Sequence, residues 1–257
     1  MNGFRRHPLR VILRLGLLAG AISASLLDYL VHCAFRQRDN LLIVRAAWLH
    51  RASRRILRLF RIQTQVTGPI PSVGLLISNH LSYLDILVLS SITPSVFVSR
   101  HDVKSWPVFG LFAVLGGTVF VDRRRRFQVG QINNEIMAAL KQGALVVLFP
   151  EGTSTNGQTL LSFKSPLLEP ATNPTWPLTI SWIHYEIDDG DASDEVCYWG
   201  DHTFFPHMLN LLSKRRVRAS VHFGEFSRRT GDRKELAQQL REEILALKKN
   251  AGAVKSG

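Results

Sequence analysis

From Gln63 onward, short runs of aliphatic and β-branched residues alternate with segments of helical periodicity. The runs Gly74–Ser78, Ser95–Ser99, Thr118–Val121 and Ala144–Phe149 are apolar along their length, the pattern of strands buried on both faces. Leu84–Ser91 and Phe127–Lys141 read as the helices between them. Further strands are predicted at Leu178–Trp182, Val196–Trp199 and Arg216–Phe223, with a helix at Phe204–Leu212. A last helix begins at Asp232, where Asp232 and Glu235 can form a capping box, and ends near Lys249. This alternation predicts an α/β domain, its sheet covered by helices on both faces.

The first quarter of the chain has a different pattern. Leu15–Leu27 carries no charge, and the apolar stretch extends from Val11 to Phe35 with Arg14, Asp28 and His32 as interruptions. A spanning helix needs about 20 apolar residues, so this segment either crosses a bilayer or lies in one leaflet. Arg on both flanks favours the leaflet, because a span would carry one basic cluster across. Arg5-Arg6, the apolar run and small residues near Ala24 also fit the outline of a signal peptide. Leu41–Ile62 then reads as a basic amphipathic helix, with Arg51, Arg54, Arg55, Arg58 and Arg61 on one arc. Trp48, Leu49, Ala52, Ile56, Leu57, Leu59 and Phe60 lie opposite. Such a helix can bury its apolar side at the acyl boundary while its arginines meet phosphate, or it can pack on the domain instead. Residues 1–62 are therefore expected to be a membrane-associating helical segment, 63–250 the globular domain, and 251–257 a disordered tail.

Charge supports that division. The chain of 257 residues has a net charge of +12, and residues 1–61 hold twelve Arg against only Asp28 and Asp39. A basic arm suits an anionic surface, and the apolar run between its arginine clusters selects lipid over nucleic acid. The two cysteines, Cys33 and Cys197, fit neither a metal spacing nor a disulfide framework, and point to a reducing compartment.

Three segments carry candidate chemistry. His80 follows the strand Gly74–Ser78, and Asp85 lies five residues on, one turn into the next helix. A His at the carboxyl edge of a sheet faces the crevice where α/β proteins bind ligands, and the Asp can fold back to fix its tautomer. Ser82 and Asp85 also form a capping-box pattern, so Asp85 could serve only as a cap. The second segment, Gly117-Thr-Val-Phe-Val-Asp-Arg123, opens the run Arg123–Arg126, which can form a solvated turn; Arg123, nearest the strand, is the one placed to hold phosphate bidentately. In the third, Phe149-Pro-Glu-Gly-Thr-Ser154, Pro150 stops strand pairing, and Gly152 permits close approach or a positive φ. Glu151 there can accept from a hydroxyl or organise Arg123, and a plain polar turn capped by Thr153 or Ser154 is the alternative.

In this order and spacing, Asn79-His80-x-x-x-x-Asp85, Gly117-x-x-Phe120-x-x-Arg123 and Phe149-Pro150-Glu151-Gly152 resemble the first three motifs of the glycerophospholipid acyltransferase family. Its best-known members are the 1-acyl-sn-glycerol-3-phosphate acyltransferases. Pro177 stands where the family has a fourth motif, and the resemblance covers roughly Val66–Phe223. It implies a mixed α/β sheet flanked by helices, of the glycerol-3-phosphate acyltransferase type, after an N-terminal membrane-associating helical segment. The implied activity is O-acyl transfer from acyl-CoA or acyl-carrier protein to a lysophospholipid, foremost 1-acyl-sn-glycerol-3-phosphate. The resemblance makes His80 the general base and Asp85 its orienting partner, with Arg123, Glu151, Gly152 and Thr153 holding the acceptor. Arg100 stands where many members carry Lys near the thioester; it preserves the charge but changes the donor geometry. No cofactor, metal or nucleic-acid partner is implied, and the cytoplasmic face of the inner or plasma membrane is the expected location.

Two departures bear on the acceptor. Members dedicated to lysophosphatidic acid often carry Arg after Phe-Pro-Glu-Gly-Thr, where this chain has Ser154 followed by Thr-Asn-Gly. That variant resembles members acting on broader lysophospholipids or on lyso-ornithine lipids. Phe163-Lys164 is present, but the Gly that often follows two residues later is Pro166. No serine lies in a Gly-x-Ser-x-Gly elbow, which argues against a serine hydrolase. His202 and His207 lack a ligand set for a metal.

Overall fold

The computed structural model describes residues 7–34, 40–122, 129–228 and 231–253. Two long helices open the chain, α1 (Pro8–His32) and α2 (Leu41–Phe60). The domain then runs β1 (Ile62–Thr67), β2 (Gly74–Ser78), α3 (Leu84–Ile92), β3 (Val96–Arg100), α4 (Phe109–Leu115) and β4 (Val119–Val121). It continues through α5 (Val129–Lys141), β5 (Leu145–Leu148), β6 (Leu178–Ile187), α6 (Phe204–Ser213), β7 (Val217–Glu225) and α7 (Arg233–Ala253). The strands form one seven-stranded sheet in the order β1-β7-β6-β2-β5-β3-β4. All neighbours are parallel except β6 and β7, so the sheet is mixed.

Alternation along the strands divides the core into two layers. Leu76, Leu145, Val147, Ile183 and Tyr185 face the layer formed with α1, α2, α3 and α6. Leu75, Ile77, Val146, Leu148, Ile180 and Trp182 face the layer of α5 and α7. Gly74 enters β2 at φ +92, where a Cβ would lie 2.3 Å from the Pro177 carbonyl oxygen, so glycine is required there.

Three strand assignments differ from the sequence reading. β1 was absent from it because only Ile62 is buried, and the exposed residues of an edge strand show no apolar alternation. β6 continues to Ile187, paired residue by residue with β7. Val196–Trp199 is not a strand among the described residues. Val196 and Cys197 close the turn Ala192–Glu195 through N–H bonds to the Ala192 carbonyl, and the Tyr198 N–H goes to Leu81. Apolar burial without ladder pairing produced the resemblance to a strand. At the C-terminus α7 continues to Ala253, so 251–253 of the expected tail are helical; 254–257 lie outside the described residues.

Of the two readings of α2, packing on the domain is the one the fold shows for its apolar side. Its apolar side is core, with Trp48, Leu49, Ala52, Ile56, Leu57 and Phe60 all buried against the domain. Trp48 also donates its indole N–H to the Ser25 carbonyl at 2.6 Å. An apolar stripe cannot tell a bilayer from a protein core, because both reward the same burial. Its arginines are also partly committed. Arg45 reaches the Leu115 and Val114 carbonyls, while Arg51 and Arg55 pair with Asp28 of α1 at 2.9–3.0 Å.

α1 keeps its membrane character. Among the described residues it alone is long and apolar enough to cross a bilayer. The charges that interrupt its sequence turn into the protein: Arg14 donates to the Leu212 and Lys214 carbonyls, and Asp28 takes the two α2 arginines. Leu9, Ile12, Leu13, Leu17, Leu27, Leu30 and Val31 are exposed on its other side. Two-sided partition of this kind leaves an outward face without charge, suited to hydrocarbon.

Candidate active site

The sheet order sets the site. After β2 the chain passes over β5 to β3 and β4, returns through α5 to β5, and then moves to β6 on the other side of β2. The reversal leaves a crevice at the carboxyl ends of β2 and β5, the place where open α/β sheets bind ligands. Register does the rest. Ile77 pairs with Leu148, so the residues after β2 emerge beside those after β5; Ser78 pairs with Ser181, so they also flank β6.

Each neighbour supplies one restraint. On the β6 side, the Asn79 amide donates to the Ile183 carbonyl at 3.0 Å and accepts the Ile183 N–H at 2.7 Å, imitating one more ladder pair. On the β5 side, the Phe149 ring stacks on the His80 imidazole with centroids 4.3 Å apart. The Phe149–Gly152 turn closes through the Gly152 N–H to the Phe149 carbonyl at 3.0 Å, with Gly152 in the left-handed region at φ 71.

His80 Nδ1 lies 2.7 Å from Asp85 Oδ2. A carboxylate only accepts, so Nδ1 carries the hydrogen, and in the neutral ring the lone pair is on Nε2. Asp85 is fully buried, and four donors meet it: the His80 ring, the Leu81 and Ser82 N–H groups on Oδ2, and the Tyr185 hydroxyl on Oδ1 at 2.7 Å. Both sequence readings of Asp85 therefore describe one carboxylate, which ties down the start of α3 and orients the histidine. The reciprocal arm of a capping box is absent: the Asp85 N–H bonds to the Ser82 carbonyl, and Ser82 Oγ has no partner among the described residues. Burial and the neighbouring Asp85 charge push the Tyr185 phenol well above its ordinary pKa, so it remains a donor.

Both carboxylate oxygens of Glu151 have backbone partners within the protein. The residue is 1% exposed, with Oε1 accepting the His80 N–H at 2.8 Å and Oε2 the Leu161 N–H at 2.9 Å. Its carboxylate is thus turned inward, fastening the His80 loop to the loop after β5. Burial raises its pKa, and the two backbone N–H bonds only partly offset that rise. Arg123 lies outside the described residues.

His80, Arg100, Gly152 and Thr153 line one cavity of about 350 Å³, so the structure brings these expected residues together. Arg100 leaves the end of β3 and is ion-paired with Asp102 at 2.7 Å. An adjoining cavity of about 340 Å³ shares Arg100, Phe149 and Gly152 and adds Asp122 and Lys164. Aromatic rings of Tyr83, Trp106, Phe109 and Tyr198 close the opposite wall of the first cavity. Behind them His207 accepts from Tyr83 at Nδ1 and donates from Nε2 to the Cys197 carbonyl. Burial, with His202 second, lowers its pKa to about 4, so it is a neutral packing residue.

Sequence reasoning missed Tyr185, Phe149 as a stacking partner, and the brace that Arg241 of α7 gives the site. Arg241 of α7 donates to the Leu160 and Leu161 carbonyls at 2.7–3.2 Å, bracing the loop whose Leu161 N–H holds Glu151. Only a hydroxyl at a core-facing position of β6 hinted at Tyr185, since a buried phenol needs a polar partner.

A mixed α/β sheet whose crevice presents a carboxylate-oriented histidine has the arrangement that general-base chemistry requires. The Acyltransferase family model matches residues 62–183. A lyso-ornithine lipid O-acyltransferase of Rhizobium meliloti is 40% identical over 185 residues, 66% of this chain and 63% of that protein. A lyso-ornithine lipid O-acyltransferase of Brucella abortus is 34% identical over 213 residues, 76% of this chain and 79% of that protein. A 1-acyl-sn-glycerol-3-phosphate acyltransferase of Neisseria gonorrhoeae is 30% identical, covering 60% of each chain. The crystal structure of the 1-acyl-sn-glycerophosphate acyltransferase PlsC from Thermotoga maritima matches 96% of this chain and 98% of that one, with a TM-score of 0.62 and 17% identity. The chain belongs to the glycerophospholipid acyltransferase family.

Proposed function

We propose that this chain moves a fatty acyl group from a thioester, acyl-CoA or acyl-carrier protein, to the free hydroxyl of a membrane lysolipid. The observation that carries the reading is the His80–Asp85 pair, 2.7 Å apart, beside a cavity that His80 lines. His80 Nε2 takes the proton of the acceptor hydroxyl as its oxygen attacks the thioester carbonyl. The tetrahedral intermediate collapses, the C–S bond breaks, and the imidazolium returns the proton to the departing thiolate. Asp85 stabilises the imidazolium between the two transfers. The apolar cavity wall of Ile86, Leu87, Phe109 and Phe112 suits an acyl chain. Arg100, Asp122 and Lys164 give the adjoining cavity charges of both signs, suited to a polar headgroup.

For the acceptor, two relatives named as lyso-ornithine lipid acyltransferases and the serine at position 154 favour lyso-ornithine lipid. Ser154 is engaged with the Tyr198 carbonyl, leaving a position where lysophosphatidate enzymes often carry arginine without a phosphate donor. The second reading, 1-acyl-sn-glycerol-3-phosphate, draws on the three motifs and on the Neisseria relative. Both readings call for a site at the cytoplasmic face, where acyl thioesters are found. The test is acyl transfer by purified protein from each donor to both lysolipids. Transfer to neither would refute the reading, and the ratio of the two kcat/KM values decides the acceptor.

A further inference from the structure

A third cavity, sharing no lining residue with the two at the His80 site, has the composition of a binding site. It measures about 390 Å³ and is lined by Arg10, Arg14, Arg58, Arg61 and Arg215, with the remaining wall of leucines and no acidic side chain. Three elements converge there: the start of α1, the end of α2 and the turn before β7. Two of the arginines build its floor. Arg10 donates to the Ser213 carbonyl at 2.7 Å, and Arg14 to the Leu212 and Lys214 carbonyls at 2.9 and 2.6 Å, closing the C-terminus of α6. Arg10 and Arg61 stand near enough to Arg14 to repel it, with Asp189 the opposing charge. Arg58, Arg61 and Arg215 are exposed at the mouth. Arg61, in the left-handed region at φ 52, ends α2 as its C-cap, its N–H on the Leu57 and Arg58 carbonyls.

Clustered guanidinium groups without a carboxylate in the wall are complementary to phosphate. The apolar part of the wall says which phosphate. Leu13 and Leu17 line the cavity and are 64% and 47% exposed, and they continue into Leu9 and Ile12 on the outward face of α1. A ligand whose anion enters among the arginines thus finds an uncharged surface beside it for hydrocarbon. We propose that this cavity binds the phosphate headgroup of an anionic phospholipid in the bilayer, with the lipid chains along α1. The site seats the enzyme on acidic membrane and takes no part in acyl transfer.

The test uses the full chain. Vesicles of phosphatidylcholine alone, or with about one-third phosphatidylglycerol, are titrated with wild type and with Arg58→Gln/Arg215→Gln. These two arginines make no contact that holds the fold together in the way Arg10 and Arg14 do. Loss of two charges at the lipid surface should weaken binding to the acidic vesicles roughly 30-fold and leave binding to phosphatidylcholine unchanged. The charge-matched Arg54→Gln/Lys249→Gln, outside the cavity, should lose less than about 3-fold. Acyl transfer to a lysolipid in neutral detergent micelles should match wild type in both variants, separating this claim from the catalytic one. Equal losses in the two variants would mean general surface charge and overturn the site. So would undiminished vesicle binding, or displacement from vesicles by millimolar inorganic phosphate as strong in Arg58→Gln/Arg215→Gln as in wild type. If the glutamine variant unfolds, Arg58→Lys/Arg215→Lys keeps the charge and should retain acidic-vesicle binding; failure to do so counts against the site.

Discussion

Glu151→Gln should separate stability from activity. The carboxylate holds two backbone N–H groups, of His80 and Leu161, in a site 1% exposed. A hydrogen bond to a charged acceptor contributes roughly 1.5–3 kcal/mol, and glutamine keeps only one carbonyl oxygen to offer. Against this, burying the charge is costly, and the raised pKa of Glu151 shows that desolvation outweighs the two bonds. The sign follows from that direction. Below the ordinary value of 4.5 the group is protonated in both the folded and unfolded chain. As pH rises past 4.5 the unfolded chain ionises first, so wild type loses stability until the buried carboxyl ionises too. The glutamine variant lacks this loss. Its stability relative to wild type should therefore improve with rising pH and lie within about 1 kcal/mol of wild type, or above it, at neutrality. Activity should fall all the same. The His80 backbone or the Leu161 loop loses its anchor, and a small displacement of the base is enough for a kcat loss on the order of 10- to 100-fold. Urea unfolding below pH 4.5 and at neutral pH, beside kcat at neutral pH, makes the comparison. A variant destabilised by more than about 3 kcal/mol at neutrality, a gap that worsens as pH rises, or an unchanged kcat would each refute the reasoning.

Asp85→Asn leaves an amide facing four donors; kcat should drop by on the order of 10⁴ with KM little changed, as when a triad aspartate is amidated, and steady-state kinetics measures it. Tyr185→Phe removes the donor on Asp85 Oδ1 without changing volume, so about 1.5–3 kcal/mol should be lost. Thermal unfolding should register this as a fall of roughly 3–10 °C, with a lower kcat. Arg241→Ala frees the Leu160 and Leu161 carbonyls from α7; a kcat loss of about 3- to 10-fold at constant KM, partly restored by Arg241→Lys, would mark it as a positioning residue.

Local pattern carried much of this. Gly74–Ser78 is apolar enough to be read as a strand and is one, and the five-residue step from His80 to Asp85 is short enough for strand and helix to bring the pair together. What was hidden depends on partners remote in sequence. Tyr185 meets Asp85 only because β6 lies next to β2 in a register that aligns Ser181 with Ser78. Glu151 reads as a surface carboxylate until the β2–β5 register places the His80 N–H above it. The apolar side of α2 fits lipid and core alike in the sequence, because composition cannot distinguish two apolar environments. The charges in α1 looked like defects in a membrane helix, yet the fold turns Arg14 and Asp28 onto α6 and α2. Deleting residues 1–62 would accordingly strip Trp48 and Phe60 from the core, so membrane contact has to be tested by substitution.

The most direct measurement is the initial rate of acyl transfer to a lysolipid by folded His80→Ala beside wild type. With the base removed, the rate should fall by at least about 10³-fold, while the variant keeps the wild-type unfolding transition and membrane binding. A folded His80→Ala protein that transfers acyl groups at the wild-type rate would contradict the account.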